Sequence, residues 1–191
     1  VPSLVIATSN PGKLVEMQAY WIDRDWELAL KPAELEIEET GETFLENARL
    51  KASQVAIATQ SWSIADDSGL SVEALGGAPG IYSARYAPTD AERIDRVFRE
   101  LGESPNRKAQ FVCAIAIARP DGSIALEVEG ICHGEIADKP YGTNGFGYDP
   151  IFYLPDRSLT FAQMTAEMKH ECSHRGRAFQ ALLPQIAGLK H

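Results

Sequence analysis

A chain of 191 residues with 45% hydrophobic content is long enough for one domain with a substantial core. Its 27 acidic and 18 basic residues leave a formal charge of −9, which argues against a protein that grips long nucleic acid through a basic face. No apolar stretch approaches 18 residues, and the start "VPSLVIATSN" lacks a charged leader and a long apolar run, so neither a membrane span nor a signal peptide is expected.

In chain order, "SLVIA" (Ser3–Ala7) reads as a short buried strand that runs into the turn formers "TSNPGK". Leu14, Met17 and Tyr20/Trp21 then recur at helical spacing, so the opening is strand, loop, helix, the start of an α/β unit. Trp26–Leu30 suggests a second strand. In "EIEETGETFLENARLKASQVAIAT", Thr43 and Glu46 form a capping-box pattern, and Phe44, Ala48, Ala52, Val55 and Ala56 form one apolar stripe of a helix. "WSIA" is a further short strand, expected to end at Asp66 and Asp67. "ALGGAPGIYSARY" reads as a turn-rich surface loop. Thr89 and Glu92 start another helix, which Gly102 stops. "AQFVCAIAIARPDGSIALEVEGICHGEI" is an antiparallel hairpin about the turn "PDGS". The glycine-rich "PYGTNGFGYDP" precedes a short strand, "IFYL". The C-terminal third is helical, with Pro184 expected to end or kink the last helix. The cysteines Cys113, Cys132 and Cys172 form no C-x-x-C pair, which fits a reducing, cytoplasmic setting.

Four stretches could carry chemistry. Thr8–Lys13, between strand and helix, could present backbone N–H groups and a lysine to phosphate, although it is not a Walker A loop and such a turn is also common without a ligand. The acids Glu36, Glu38 and Glu39, with Asp66 and Asp67, come from two separate segments. That suits Mg²⁺, which takes one or two carboxylates plus waters and substrate phosphates; the alternative is a solvated acidic loop. In Asn144–Pro150, glycines around Phe146 and Tyr148 would let a flat base approach and stack, or the aromatics could belong to the core. In "KHECSHRGR" (Lys169–Arg177), Ser173 is a plausible cap for a helix carrying His174 and Arg175. His170 and His174 have the i, i+4 spacing of a zinc pair, but no third ligand pattern accompanies them, and Lys169 and Arg175 would crowd a dication.

Six motifs, "ATSNPGK", "EETGETFLENARLKA", "ADDSGL", "LGGAPGIYSARY", "GFGYDPIF" and "SHRG", occur in that order over about nine-tenths of the chain. Together they resemble the inosine triphosphate pyrophosphatase family (Ham1-like, non-standard purine NTP pyrophosphatases). The resemblance implies one α/β domain over residues 1–191, with a long twisted mixed sheet flanked by helices and two lobes with a central active-site cleft. It implies hydrolysis of ITP, dITP and XTP to the monophosphate and pyrophosphate, dependence on Mg²⁺, and a homodimer. Carried over by motif, Thr8, Ser9, Asn10, Pro11, Gly12 and Lys13 bind phosphate, and Lys51 faces it. Glu38 and Asp67 hold the metal, with Glu39 the alternative to Glu38, and Asp67 is the base. Ser68 lies beside the substrate, and Phe146, Gly147, Tyr148, Asp149, Lys169, His174 and Arg175 shape the base and sugar pocket. His170 and Cys172 depart from the family's usual residues before "SHRG". The rival readings are a related Maf-like pyrophosphatase, against which "SHRG" argues, and a nucleotide sensor without turnover, against which Glu38 and Asp67 argue.

Overall fold

The computed structural model describes residues 1–21 and 25–189. Its strands are β1 (Ser3–Ile6), β2 (Glu27–Leu30), β3 (Trp62–Val72), β4 (Lys108–Ala118), β5 (Ile124–Ile136), β6 (Phe152–Leu154) and β7 (Leu159–Thr160). Its helices are α1 (Pro11–Tyr20), α2 (Phe44–Thr59), α3 (Asp90–Leu101), α4 (Ala166–Cys172) and α5 (His174–Ile186). The strands form one mixed sheet, flanked by helices, in the order β2-β1-β3-β4-β5-β6-β7. β1 is parallel to β2, with Ser3 opposite Glu27, and to β3, with Leu4 opposite Trp62. β6 is antiparallel to β5 and β7. Packing groups the chain into two compact units.

The first unit comprises Val1–Asp67, Ala114–Glu129 and Ala178–His191. Asn10 starts α1: its Oδ1 accepts the N–H groups of Gly12 (3.0 Å) and Lys13 (3.3 Å), and Pro11, which has no N–H to satisfy, fills the first helical position. At α2, Thr43 Oγ1 accepts the Glu46 N–H at 3.1 Å. The reciprocal bond lands one residue earlier than the sequence pattern suggests, with Glu46 Oε2 accepting the Glu42 N–H at 2.7 Å. The α2 stripe of Ala48, Ala52, Val55 and Ala56 packs with Val5, Ala7 and Ala65, while Phe44 lies at the margin of that cluster. Tyr20 stacks on Phe179 at 4.4 Å, and Trp26 meets Trp62 edge-on at 5.5 Å. The β4–β5 turn closes through the Arg119 N–H to the Ser123 carbonyl at 2.8 Å, with Gly122 at φ +88. The strand expected to stop at the aspartates instead runs through them to Val72, because both carboxylates are buried and lie close to lysines.

The second unit comprises Ser68–Cys113 and Gly130–Arg177. Its core gathers Leu70, Val72, Val97, Phe111, Phe152 and Phe161. α3 carries a complete capping box between Thr89 and Glu92, buries Ile94, Val97 and Leu101, and ends at Gly102, as the sequence pattern suggests. The stretch expected as a surface loop is partly internal. Gly80–Arg85 forms a 3-10 turn, Ser83 and Tyr86 are buried, and Ser83 Oγ donates to the Gly80 carbonyl (2.6 Å) and accepts the Leu70 N–H (2.9 Å). Helix α4 ends at Cys172, and Ser173 Oγ accepts the Gly176 N–H at 3.0 Å to start α5. Pro184 sits inside the last turn of α5, which continues to Ile186.

Candidate active site

Asp66 and Asp67 are successive residues of β3, and each lies close to a lysine from a different helix. Lys13 Nζ, from α1, lies 3.3 Å from Asp66 Oδ2, with the Asp66 side chain fully buried. Lys51 Nζ, from α2, lies 3.6 Å from Asp67 Oδ1 and 3.2 Å from Glu39 Oε1. Two adjacent carboxylates are thus tolerated in the interior because two lysine ammonium groups lie beside them. Burial works against the Lys51 ammonium, but Asp66, Asp67 and Glu39 outweigh it and raise its pKa. Burial pushes the Asp67 carboxyl up to about 6; Lys51 and Lys13 pull against that, while Glu39 and Asp66 add to it. Asp67 Oδ2 is buried and, among the described residues, has no hydrogen-bond partner.

The loop Thr8–Lys13 uses its own side chains on its backbone. Thr8 Oγ1 accepts the Asn10 N–H at 3.2 Å, and Asn10 accepts those of Gly12 and Lys13. Pro11 and Gly12 lie in the first turn of α1, Ser9 is exposed, and the lysine head reaches Asp66. Of the acids in "EIEETGE", Glu36 and Glu38 are exposed, whereas Glu39 stands by Lys51. The cause is local: Leu35 and Ile37 pack against the α2 cluster, so alternate residues face inward and Glu39 follows Ile37. That period-two signal, apolar at 35 and 37, was available in the sequence and favours Glu39 over Glu38 as the acid nearest Asp67.

In the second unit, Arg175 is 1% exposed, and its Nη2 donates to Ser68 Oγ at 2.9 Å. Lys169 Nζ donates to Asp149 Oδ2 at 2.7 Å, and the same oxygen accepts the Phe146 N–H at 3.1 Å. The half-buried Phe146 ring lies 4.8 Å from Lys169 Nζ and 5.9 Å from Arg175 Cζ. Of the two aromatics in the glycine loop, Phe146 keeps an accessible part. Tyr148 is buried and donates its hydroxyl to the Ser83 carbonyl at 2.7 Å, so it anchors the loop. His174 stacks on Phe111 at 4.6 Å and 13°, and Phe111 stacks on Phe161 at 5.7 Å. Phe111 carries no sequence signal for this role; it reads only as one member of an apolar run.

His170 and His174 fall on separate helices, since α4 ends at Cys172. The pairing on one helix face that zinc would need is therefore absent. Among the described residues, no three of His, Cys, Asp and Glu converge as a metal cluster. The three cysteines are buried free thiols; burial lifts Cys132 to about 11 and raises Cys172, whose Sγ donates to the Met168 carbonyl at 3.2 Å. Among the described residues, no helix is long and apolar enough to cross a membrane.

These features define a mixed α/β protein with lysine-paired acids along a buried strand and a cationic, aromatic-bearing glycine loop. The chain belongs to the Ham1 family, whose model matches residues 4–185. A dITP/XTP pyrophosphatase of Nostoc sp. is 65% identical over 186 residues, 97% of this chain and 95% of that protein. One of Synechocystis sp. is 58% identical over 190 residues, 100% of this chain and 98% of that protein. Among solved structures, the Ham1 protein of Coxiella burnetii matches with a TM-score of 0.91 and 40% identity, covering 99% of this chain and 100% of that one. The Ham1 protein of Staphylococcus aureus matches with a TM-score of 0.88 and 43% identity, covering 98% and 100%.

Proposed function

We propose that this protein hydrolyses non-standard purine nucleoside triphosphates (ITP, dITP and XTP) to the monophosphate and pyrophosphate, and so clears them from the nucleotide pool. The observation that carries the reading is the Asp67 carboxyl, buried beside Lys51 with one oxygen unpartnered in a chain so similar to dITP/XTP pyrophosphatases. A buried, unpartnered carboxylate oxygen suits a cation, and Asp67 with Glu39, or with the neighbouring Glu38, would hold Mg²⁺ as a two-carboxylate site completed by waters and substrate phosphates. When bound, Mg²⁺ neutralises phosphate oxygens and lowers the pKa of a coordinated water.

The side chains of this chain account for the rest. Lys13 and Lys51 supply positive charge for the triphosphate, which competes with the carboxylates that now hold them. Asp67, ionised above about pH 6, orients a water toward the α-phosphorus and accepts its proton, and pyrophosphate leaves. Phe146 offers a face on which a purine stacks, while Arg175 and Lys169 offer donors to a 6-oxo group. An adenine amino group would face those donors with a donor of its own, leaving buried groups unpaired at roughly 1–3 kcal/mol each. The resemblance further supports a homodimer, and three cysteines left as thiols suit the cytoplasm.

The test is a panel of ITP, XTP, dITP, GTP and ATP with Mg²⁺ in ¹⁸O-labelled water. Release of pyrophosphate from the first three, with label in the monophosphate, is the expected result. Orthophosphate release, or label in pyrophosphate, refutes it.

A further inference from the structure

Asp90 is the first residue of α3, directly after its cap Thr89. Arg93 Nη1 takes its Oδ1 at 2.6 Å, which orients the carboxylate. The other oxygen, Oδ2, accepts the Gly147 N–H at 2.9 Å, so a residue 57 positions earlier in the chain holds the backbone of the glycine loop. Gly147 has φ +62, a left-handed conformation that glycine adopts without strain. Its peptide with Phe146 is fixed at both polar atoms, because the Phe146 carbonyl accepts the Asp149 N–H at 3.2 Å. The loop is tied down on either side of this peptide. Asn144 Nδ2 donates to the Met164 carbonyl at 2.9 Å, and the Tyr148 hydroxyl reaches Ser83. Asp90 is 51% exposed at its side chain, so burial does not demand the contact; its effect is on where the loop sits.

We propose that Asp90 is a positioning residue for base recognition: by holding the Gly147 N–H it fixes the peptide that carries Phe146, and thereby the placement of that ring by Lys169 and Arg175. The inference rests on the reading above that Phe146 stacks on the purine. Only an acceptor is required at the Asp90 oxygen, since its partner is a backbone N–H.

The experiment compares wild type, Asp90→Ala and Asp90→Asn for KM and kcat on ITP and GTP, for melting temperature, and for hydrogen exchange of the Gly147 amide. Asp90→Ala is expected to raise KM for ITP about 5-fold, the range of one hydrogen bond. It should leave kcat within about 2-fold, as lost uniform binding does. The Gly147 amide should exchange faster. Asp90→Asn, whose side-chain carbonyl accepts the same N–H, should restore both KM and protection. An unchanged KM in Asp90→Ala overturns the proposal, as does a loss equal in both variants, which would make charge rather than acceptance the cause. A fall in kcat and melting temperature together, with KM unmoved, would reduce Asp90 to a helix-start residue and also overturn it. Wild type inactive on ITP would instead overturn the functional reading, and the Gly147 exchange would then decide alone whether Asp90 anchors the loop.

Discussion

Replacing Asp67 with asparagine should abolish turnover and yet make the protein more stable at neutral pH. The carboxyl lies at about 6 in the folded protein against an ordinary 3.8. Each pH unit between folded and unfolded values is worth about 1.4 kcal/mol, so an ionised Asp67 costs the fold about 3 kcal/mol above pH 6. The sign follows from the raised value. The folded state holds the proton more tightly, so the stability present below about pH 4 is lost as pH rises through about 6. The neutral amide has no such dependence. Asp67→Asn should therefore match wild type in stability near pH 4 and exceed it at pH 7.5 by up to about 3 kcal/mol. For a chain of this length that is roughly 6 to 12 °C in melting temperature. ITP cleavage should fall by at least about 100-fold, as for removal of a positioned acid–base group. Calorimetry at pH 4.5 and 7.5, with pyrophosphate release measured alongside, reads both effects. A variant no more stable than wild type at pH 7.5, or one gaining equally at both pH values, would refute the burial argument; near-normal turnover would refute the role of the carboxylate.

Two further substitutions probe the groups around this residue. Lys51→Met removes the cation 3.6 Å from Asp67 Oδ1. A charge at that distance is worth about 1 kcal/mol in water and about 5 kcal/mol at an effective dielectric of 20, so the acid limb of kcat/KM for ITP should move up by at least about one pH unit. An unmoved limb in the pH–rate profile would show that Lys51 does not tune Asp67. Gly145→Ala places a methyl against Asp149 Oδ2 at a φ of +72, so it should displace the carboxylate from Lys169 and from the Phe146 N–H. With a hydrogen bond to a charged group worth roughly 1.5–3 kcal/mol, loss of the Asp149 contacts that place Lys169 and Phe146 should raise KM for ITP about tenfold, and a wild-type KM in steady-state kinetics would contradict the loop geometry.

Most elements were legible because their signals are local. The strand–loop–helix opening, the caps Thr43, Thr89 and Ser173, the stop at Gly102 and the hairpin over "PDGS" are read within a few residues and stand where expected. What the sequence misread depends on partners far along the chain. "WSIA" was expected to end at two charges because nothing local neutralises them, yet Lys13 and Lys51 lie 53 and 16 positions away from their aspartates and let the strand continue. Glu39 and Glu38 are a different case, because the apolar residues Leu35 and Ile37 set a local period of two that turns residue 39 inward. Tyr148 and Phe146 are both aromatics among glycines, and only the position of the Ser83 carbonyl separates anchor from accessible ring. The family motifs name residues one by one; which of them pair, as Lys13 does with Asp66 and Lys169 with Asp149, comes from the tertiary structure.

The strand β3 also raises a question of alignment. Its residues Trp62–Asp67 are all buried, so no polar face distinguishes one pairing with β1 from another shifted by a single residue. A one-residue slip turns every side chain to the other face, and in a half-exposed strand hydrophobic patterning would forbid it. Here that restraint falls to the two acid–lysine pairs. Lys13 is set by α1 and Lys51 by α2, and a slipped strand would present Ala65 or Ser68 in place of a carboxylate, leaving a buried charge without its partner. The two carboxylates thus act as locating pins for the strand, so removing both at once should loosen strand alignment in a way that neither single change does.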